Sequence, residues 1–298
     1  MADHNTLIGS TSGEIEAGTT LIDGVSREIE KGLTLVGGVQ MDITFELTID
    51  PVLGNNTPEQ IQAAAQSGQA ANYWSVGDKI GIALSGTVGA LKLSDTYYAF
   101  ILGFDHNSGV EGGNTIHFQF GKTSEGVDIA FCDSNFNNSG SSAGFRMNTT
   151  DKNTGGWKSS YMRSTICVKF LSAMPTAWRN VIASCTKYSD NTGGGTNTAS
   201  YVTATSDKIF LLSEFEVHGK RTLANTTERS HQKQYDYYKN GNSKVKYKHN
   251  ATTTKCYWWT RSTYATALAH FCRVSTDGSS TFNSANISQG FAPGFMVA

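Results

Sequence analysis

The chain has 298 residues, 24 basic and 25 acidic, with a formal net charge of −1. So even a balance supplies no overall field for nucleic acid or an anionic membrane. No stretch reaches the roughly 18 apolar residues of a membrane-spanning helix. High glycine (31), low proline (4) and only 16% charged residues describe a loop-rich α+β or β chain with a neutral polar surface.

The first 43 residues repeat with a period of 14. Leu7-Ile8-Gly9 returns as Leu21-Ile22-Asp23 and Leu35-Val36-Gly37, and Glu14-Ile15 returns as Glu28-Ile29 and Asp42-Ile43. Each unit reads as a short strand, a Gly turn and a second short strand. One such unit cannot bury its apolar face alone, so residues 1–50 are expected to form a β-repeat module for attachment or oligomerisation. Residues 1–60 carry ten acids against two bases, whereas residues 218–249 carry eight bases against two acids. The two ends are therefore expected to meet different partners, or each other in an assembly.

Residues 51–298 read as one α+β domain. Thr57, Pro58 and Gln60 form a capping-box pattern that opens a helix ending near Gly68. Strands are expected at 79–85, 96–104 and 115–121, then at 127–132, with Gly- and Asn-rich turns between them. From 159 the spacing of Met162, Ile166, Phe170 and Met174 predicts a helix stopped by Pro175, followed by a second from Thr176. Residues 187–200 read as a polar loop and 208–212 as a buried strand. Ser213 starts a short helix that Gly219 ends, and a further helix is expected over 232–239. The last strands are expected at 257–261, 271–275 and 291–297.

Several motifs lead nowhere chemically. Gly140-Ser141-Ser142-Ala143-Gly144 has the G-x-S-x-G spacing without the flanking strand and helix of a nucleophile elbow. Asp133-x-Asn135-x-Asn137 begins like a calcium loop, but Gly144 stands where the twelfth-position Glu belongs. The cysteines at 132, 167, 185, 256 and 272 form no C-x-x-C pair and are odd in number, which predicts reduced, buried thiols. The sequence therefore predicts no enzyme and no cofactor, and no metal, with a weak irregular site at the Asp133 run as the one alternative. The Tyr-rich basic run 220–248 is expected to be a solvated face or a subunit contact, with nucleic acid not expected as a partner. Met1-Ala2-Asp3-His4 lacks the basic start and apolar run of a signal peptide.

Gly155-Gly156-Trp157 with Tyr161-Met162-Arg163, Phe210 through Glu216, Trp258-Trp259-Thr260-Arg261-Ser262, Val274 through Gly278, and Gly290 with Pro293-Gly294-Phe295 together resemble one family. It is an uncharacterised-domain family of phage and prophage structural proteins in Firmicutes and related gut bacteria. Its C-terminal region is similar to the C-type-lectin fold of sulfatase-modifying enzymes and of the variable proteins of diversity-generating retroelements. The resemblance covers about 70–298. It departs at Thr263, where the family often has Pro, and the calcium-sugar tripeptides of true C-type lectins are absent. It implies a virion structural protein, made in the host cytoplasm, that displays a lectin-like domain on a tail, baseplate or head fibre. The partners implied are other virion proteins through residues 1–50, and a host-surface glycan or protein. A homo-oligomer, for example a trimer, is implied as well. The alternatives are a capsid decoration without a receptor, or a wall-acting or formylglycine-type enzyme.

In that reading Trp157, Arg163, Glu214, Trp258, Arg261, Gly290 and Pro293 build the frame, with Arg261 pairing Glu214 or Glu216. The ligand-facing candidates are Trp259, Tyr264, Thr266, His270, Arg273, Thr281, Asn283 and Asn286. They lie on or beside the polar stretch 263–289, whose Tyr, Ser and Asn content suits recognition loops.

Overall fold

The computed structural model describes residues 48–137 and 144–298, and before them the backbone of 19–22, 25–28, 31–36 and 39–44. The chain divides into two compact units, one up to Ile49 and the other from Asp50.

The first unit contains two antiparallel hairpins. β1 (Thr19–Ile22) pairs with β2 (Val25–Glu28), and β3 (Lys31–Val36) with β4 (Val39–Thr44). The sequence between partners is Asp23-Gly24 in one hairpin and Gly37-Gly38 in the other, the composition that two-residue hairpin loops favour. The two hairpins coincide with the second and third units of the repeat. The first unit of the repeat lies outside the described residues, as does most of the motif at 140–144.

The second unit is α+β. Helix α1 (Pro58–Gln66) opens on the expected capping box: the Gln60 N–H donates to Thr57 Oγ1 (3.2 Å) and the Thr57 N–H to Gln60 Oε1 (2.7 Å). A single turn, α2 (Ala70–Tyr73), leads to the long hairpin β5 (Lys79–Val88) and β6 (Leu91–Phe104). Both strands are longer than the sequence predicts and meet across a tight turn at 89–90. After α3 (Ser108–Glu111) come β7 (Ile116–Lys122) and the short β8 (Ile129–Ala130).

The helix expected from 159 forms in two parts: a π-helical stretch, Met162–Cys167, runs into α4 (Val168–Ala173). Then follow α5 (Thr176–Val181), β9 (Ile182–Ala183), β10 (Cys185–Asp190), β11 (Val202–Asp207) and β12 (Ile209–Phe210). Helix α6 (Glu214–His218) carries a second capping box, Ser213 with Glu216, and ends at Gly219, whose φ of 66° is left-handed. Helix α7 (Asp236–Lys239) is half the expected length. The chain closes with β13 (Lys246–Lys248), β14 (Ala251–Cys256), β15 (Trp258–Thr263), β16 (His270–Val274), β17 (Ser280–Ser284) and β18 (Gly294–Val297).

The main sheet runs β12-β18-β7-β6-β5, with β9 also on β18. One of its faces buries Phe118, Phe120 and Phe295 against Phe170, Trp178, Phe131 and Phe291. Aromatic side chains bury roughly 150–250 Å² each, so this cluster dominates the apolar core. All five cysteines are free and buried. No helix among the described residues is long and apolar enough to cross a membrane.

The polar loop expected at 187–200 is a correction. Its first part is the end of β10, which pairs with β11 from Cys185↔Asp207 to Asp190↔Val202. Lys187, Ser189 and Asp190 look like surface residues in sequence, yet each is 0% exposed. A strand so polar stays buried only if its side chains find polar partners, and those partners form the frame of the candidate site.

Candidate functional site

Strands β15, β16 and β17 form a separate three-stranded sheet in that order. Every residue of β15 is buried, including Thr260, Arg261, Ser262 and Thr263. The Arg261 guanidinium grips Glu216 bidentately, Nη1 to Oε2 at 2.5 Å and Nη2 to Oε1 at 2.8 Å. Its Nε donates to Ser189 Oγ (2.8 Å) and Nη1 also to the Leu211 carbonyl (2.9 Å). Of the two partners left open by the sequence, Glu216 is the one used. Glu214 turns elsewhere. Its carboxylate accepts the backbone N–H groups of Thr222, Leu223 and Ala224, at 2.8–3.1 Å, and the Ser280 hydroxyl. It thereby ties the 222–224 loop to β17.

The network continues to β10. The Lys187 ammonium donates to Glu111 Oε2 (2.6 Å), Tyr235 Oη (2.8 Å) and Glu216 Oε1 (3.3 Å). Burial pulls this ammonium down, but Cys185, Glu111 and Glu216 outweigh it and hold it above the ordinary lysine value. Burial likewise works to raise Glu216, and Arg261 with Lys187 keeps its carboxyl well below the usual range. Glu228 is different. It accepts the Asp190 N–H (2.9 Å) and the Ser262 hydroxyl (2.6 Å), and burial pushes its carboxyl up to about 7.

Two sets of side chains here, Glu111–His117–Cys185 and His106–Glu111–Glu216, come close enough to hold a metal ion. Lys187 already engages both carboxylates of those sets, and Lys187 and Arg261 together match the charge of Glu111 and Glu216. The arrangement is a charge-balanced strut of buried side chains.

The remaining frame residues are interior too, except Arg163, which is partly exposed. Trp157 donates its indole N–H to Asp207 Oδ2 (2.9 Å), and Arg163 Nε reaches Asp207 Oδ1 at 2.5 Å. Trp258 is fully buried, with its indole N–H on the Lys244 carbonyl at 2.9 Å. Gly290 allows β15 to enter: a Cβ there would stand 2.6 Å from the Tyr257 carbonyl and 2.9 Å from Ala130 Cβ. The Pro293 carbonyl accepts the Phe120 N–H at 2.9 Å, joining the chain end to β7. Asp133, the first residue of the calcium-like run, is engaged by the Ala90 N–H (3.2 Å) and the Ser288 hydroxyl (3.1 Å).

The ligand-facing candidates do not stay together. Trp259 is fully buried and donates its indole N–H to the Phe145 carbonyl (2.9 Å), so it belongs to the frame and not to the contact surface. The stretch expected to be loop beyond 275 contains β17, whose register pairs His270↔Ser284, Cys272↔Phe282 and Arg273↔Thr281. Alternation along the pleat then sets His270 and Phe282 on one face and Arg273, Thr281 and Asn283 on the other. Arg273 lies over the Tyr257 ring at 3.8 Å and donates to Gln289 Oε1 at 2.9 Å. Asn286 is half-buried in the turn after β17.

Tyr264, His270 and Phe282 come together as a cluster of rings. Tyr264 lies 4.7 Å from Phe282 and 6.3 Å from His270, and His270 lies 4.9 Å from Phe282. Phe282 on β17 is 38% exposed, Leu268 on the β15–β16 connection that carries Tyr264 is 68% exposed, and Thr266 is exposed beside it. The connection is pinned from behind by Asn153, whose amide donates to the Ala267 (2.6 Å) and His270 (3.0 Å) carbonyls. Sequence reasoning misses Phe282 and Leu268, although a large apolar residue inside a polar run is an available signal. A cleft of about 220 Å³ lies elsewhere, between the π-helical stretch and residues 206–209. Arg163 on its wall is committed to Asp207.

A family model described as a domain of unknown function, DUF6273, matches residues 137–298, more than half of the chain. The chain belongs to the DUF6273 family. No curated protein and no solved structure matches it. The DUF6273 region contains β9 to β18, the whole ring cluster and most of the buried network. Glu111 on α3 and His117 on β7 come from before it, so the network joins the DUF6273 region to elements that precede it in the chain.

Proposed function

We propose that this DUF6273 protein is a phage virion component. On this reading residues 1–50 attach it to the particle, and the C-terminal region, C-type-lectin-like in fold, is held out to bind the host surface. The observation that carries the reading is the contrast within one small sheet. β15 is locked by fully buried ion pairs, whereas the far side of the same sheet offers a partly exposed cluster of rings with polar neighbours. A rigid frame carrying exposed aromatic and neutral polar side chains is how binding surfaces lower the entropy cost of recognition. The motif resemblance of 155–163, 210–216 and 258–262 supports the virion role, and the acidic hairpins support attachment. The role is one of binding rather than catalysis, because the carboxylates that cluster, Glu111 and Glu216, are buried and already engaged by Lys187 and Arg261. Homo-oligomeric display, for example as a trimer, gives weak single sites avidity.

The test is a particle carrying Tyr264→Ala, His270→Ala and Phe282→Ala together. Intact particles that no longer adsorb to host cells support receptor binding. Failed assembly, or unimpaired adsorption, contradicts it, the former favouring a purely structural component.

A further inference from the structure

The ring cluster is small, nearly uncharged and aligned, and those three properties narrow what it meets. We infer that Tyr264, His270 and Phe282 form a stacking platform for a neutral saccharide. The inference rests on the host-binding reading above and names its ligand class.

Alignment is the first argument. The Tyr264 and His270 rings lie 22° from parallel, and each is tilted 38° to Phe282. The three rings thus pack together within 38° of one another, and Phe282 is the one most open to solvent. Aromatic faces carry the negative end of a quadrupole. The C–H faces of a pyranose ring are apolar and slightly positive, so they stack on such faces, and the hydroxyls at the sugar's edge point outward.

Those hydroxyls need partners. Tyr264 and Thr266 bring hydroxyls, and Ser284 sits directly across from His270.

Size is the second argument. A specific protein partner covers about 800 Å² on each side. Here the exposed apolar surface is Phe282, Leu268 and the half-buried rings, which suits one or two sugar rings and falls short of a protein interface. Charge is the third. No Lys, Arg, Asp or Glu belongs to the cluster. Arg273 of the same sheet is on the opposite face and engaged with Tyr257 and Gln289. The three rings themselves carry no fixed charge, which suits a neutral ligand better than an anionic polymer held by counterion release.

The experiment applies the full chain to a printed panel of neutral and acidic oligosaccharides at low and high salt, with binding to whole bacteria measured in parallel. The expected result is retention on neutral members, insensitive to salt. Retention falls about tenfold for Tyr264→Ala and for Phe282→Ala, the scale of one lost stacking ring. Phe282→Trp retains binding, which separates loss of stacking from loss of folding, and Val168→Ala on the exposed start of α4 changes nothing. Binding only to acidic members, no binding to any neutral member, or equal binding by both alanine variants overturns the inference. If bacteria bind the chain while no neutral saccharide does, host binding stands and the saccharide assignment falls; if neither binds, both fall.

Discussion

β15 and β17 flank β16 in one three-stranded sheet, and they treat polar side chains in opposite ways. β15 carries Thr260, Arg261, Ser262 and Thr263 and hides all of them. β17 carries Ser280, Thr281, Asn283 and Ser284, leaves them partly open, and exposes Phe282. The usual link between polarity and exposure is therefore reversed across about 10 Å, two strand spacings. Burying polar groups is tolerable on β15 because Arg261 and the hydroxyls of Thr260 and Ser262 have partners in place, which leaves only the Thr263 hydroxyl without one among the described residues. Such a network adds little net stability compared with an apolar core, but it penalises any other register heavily, because a shifted strand would leave charges unpaired. The comparison teaches that β15 fixes position and β17 presents surface.

The largest effect expected to break this division comes from Arg261→Met. It leaves the buried Glu216 carboxylate with Lys187 as its remaining cation and the Ser213 N–H as a neutral donor, and is expected to cost about 3–5 kcal/mol in urea unfolding. A loss below ~1 kcal/mol would show that the strut is not what holds β15.

Glu228→Gln sharpens the electrostatic half. Burial raises the Glu228 carboxyl from 4.5 to about 7, so the fold favours its protonated form. Its contribution is complete below pH 4.5 and is lost as pH rises through about 7. The stability difference between wild type and Glu228→Gln should therefore drift by roughly 2–3 kcal/mol across that window, against the wild type at the higher pH. A difference constant with pH would remove the argument.

Gly290→Ala tests the entry to β15. The new Cβ meets the Tyr257 carbonyl at 2.6 Å, and a loss of about 1–3 kcal/mol is expected by thermal or urea unfolding. The smallest change in stability belongs to the other side of the comparison. Tyr264→Ala with Phe282→Ala should alter unfolding by less than about 1 kcal/mol, as surface substitutions do. A larger loss would make the ring cluster part of the core.

Where the local rule is strong, the sequence is legible. The Thr57–Gln60 capping box, the Gly219 stop and the Pro175 break all act within a few residues, and each stands where the sequence puts it. The periodicity of Met162, Ile166 and Phe170 locates a helix but not its first turns, because a π-helical stretch keeps the same residues on nearly the same face. β10 is illegible for a physical reason. Lys187, Ser189 and Asp190 are buried by partners 29 to 76 residues away, among them Glu216, Glu228, Arg261 and Glu111, and no local window contains those partners.

The candidate site is legible in part. The polar stretch 263–289 stands out in the sequence, but its contact residues divide between two faces, because Thr281 and Asn283 alternate with Phe282 on a strand that the sequence presents as loop. Trp259 looks like a contact because nothing near it in the chain shows that Phe145 covers it.

The most direct test of the division between frame and surface is histidine labelling with diethyl pyrocarbonate, on the full chain free in solution and bound to host cells. His270 is expected to react in the free chain while the fully enclosed His117 does not, and to be shielded once the chain is bound. Labelling of His270 that is absent in the free chain, or unchanged by binding, would contradict that division.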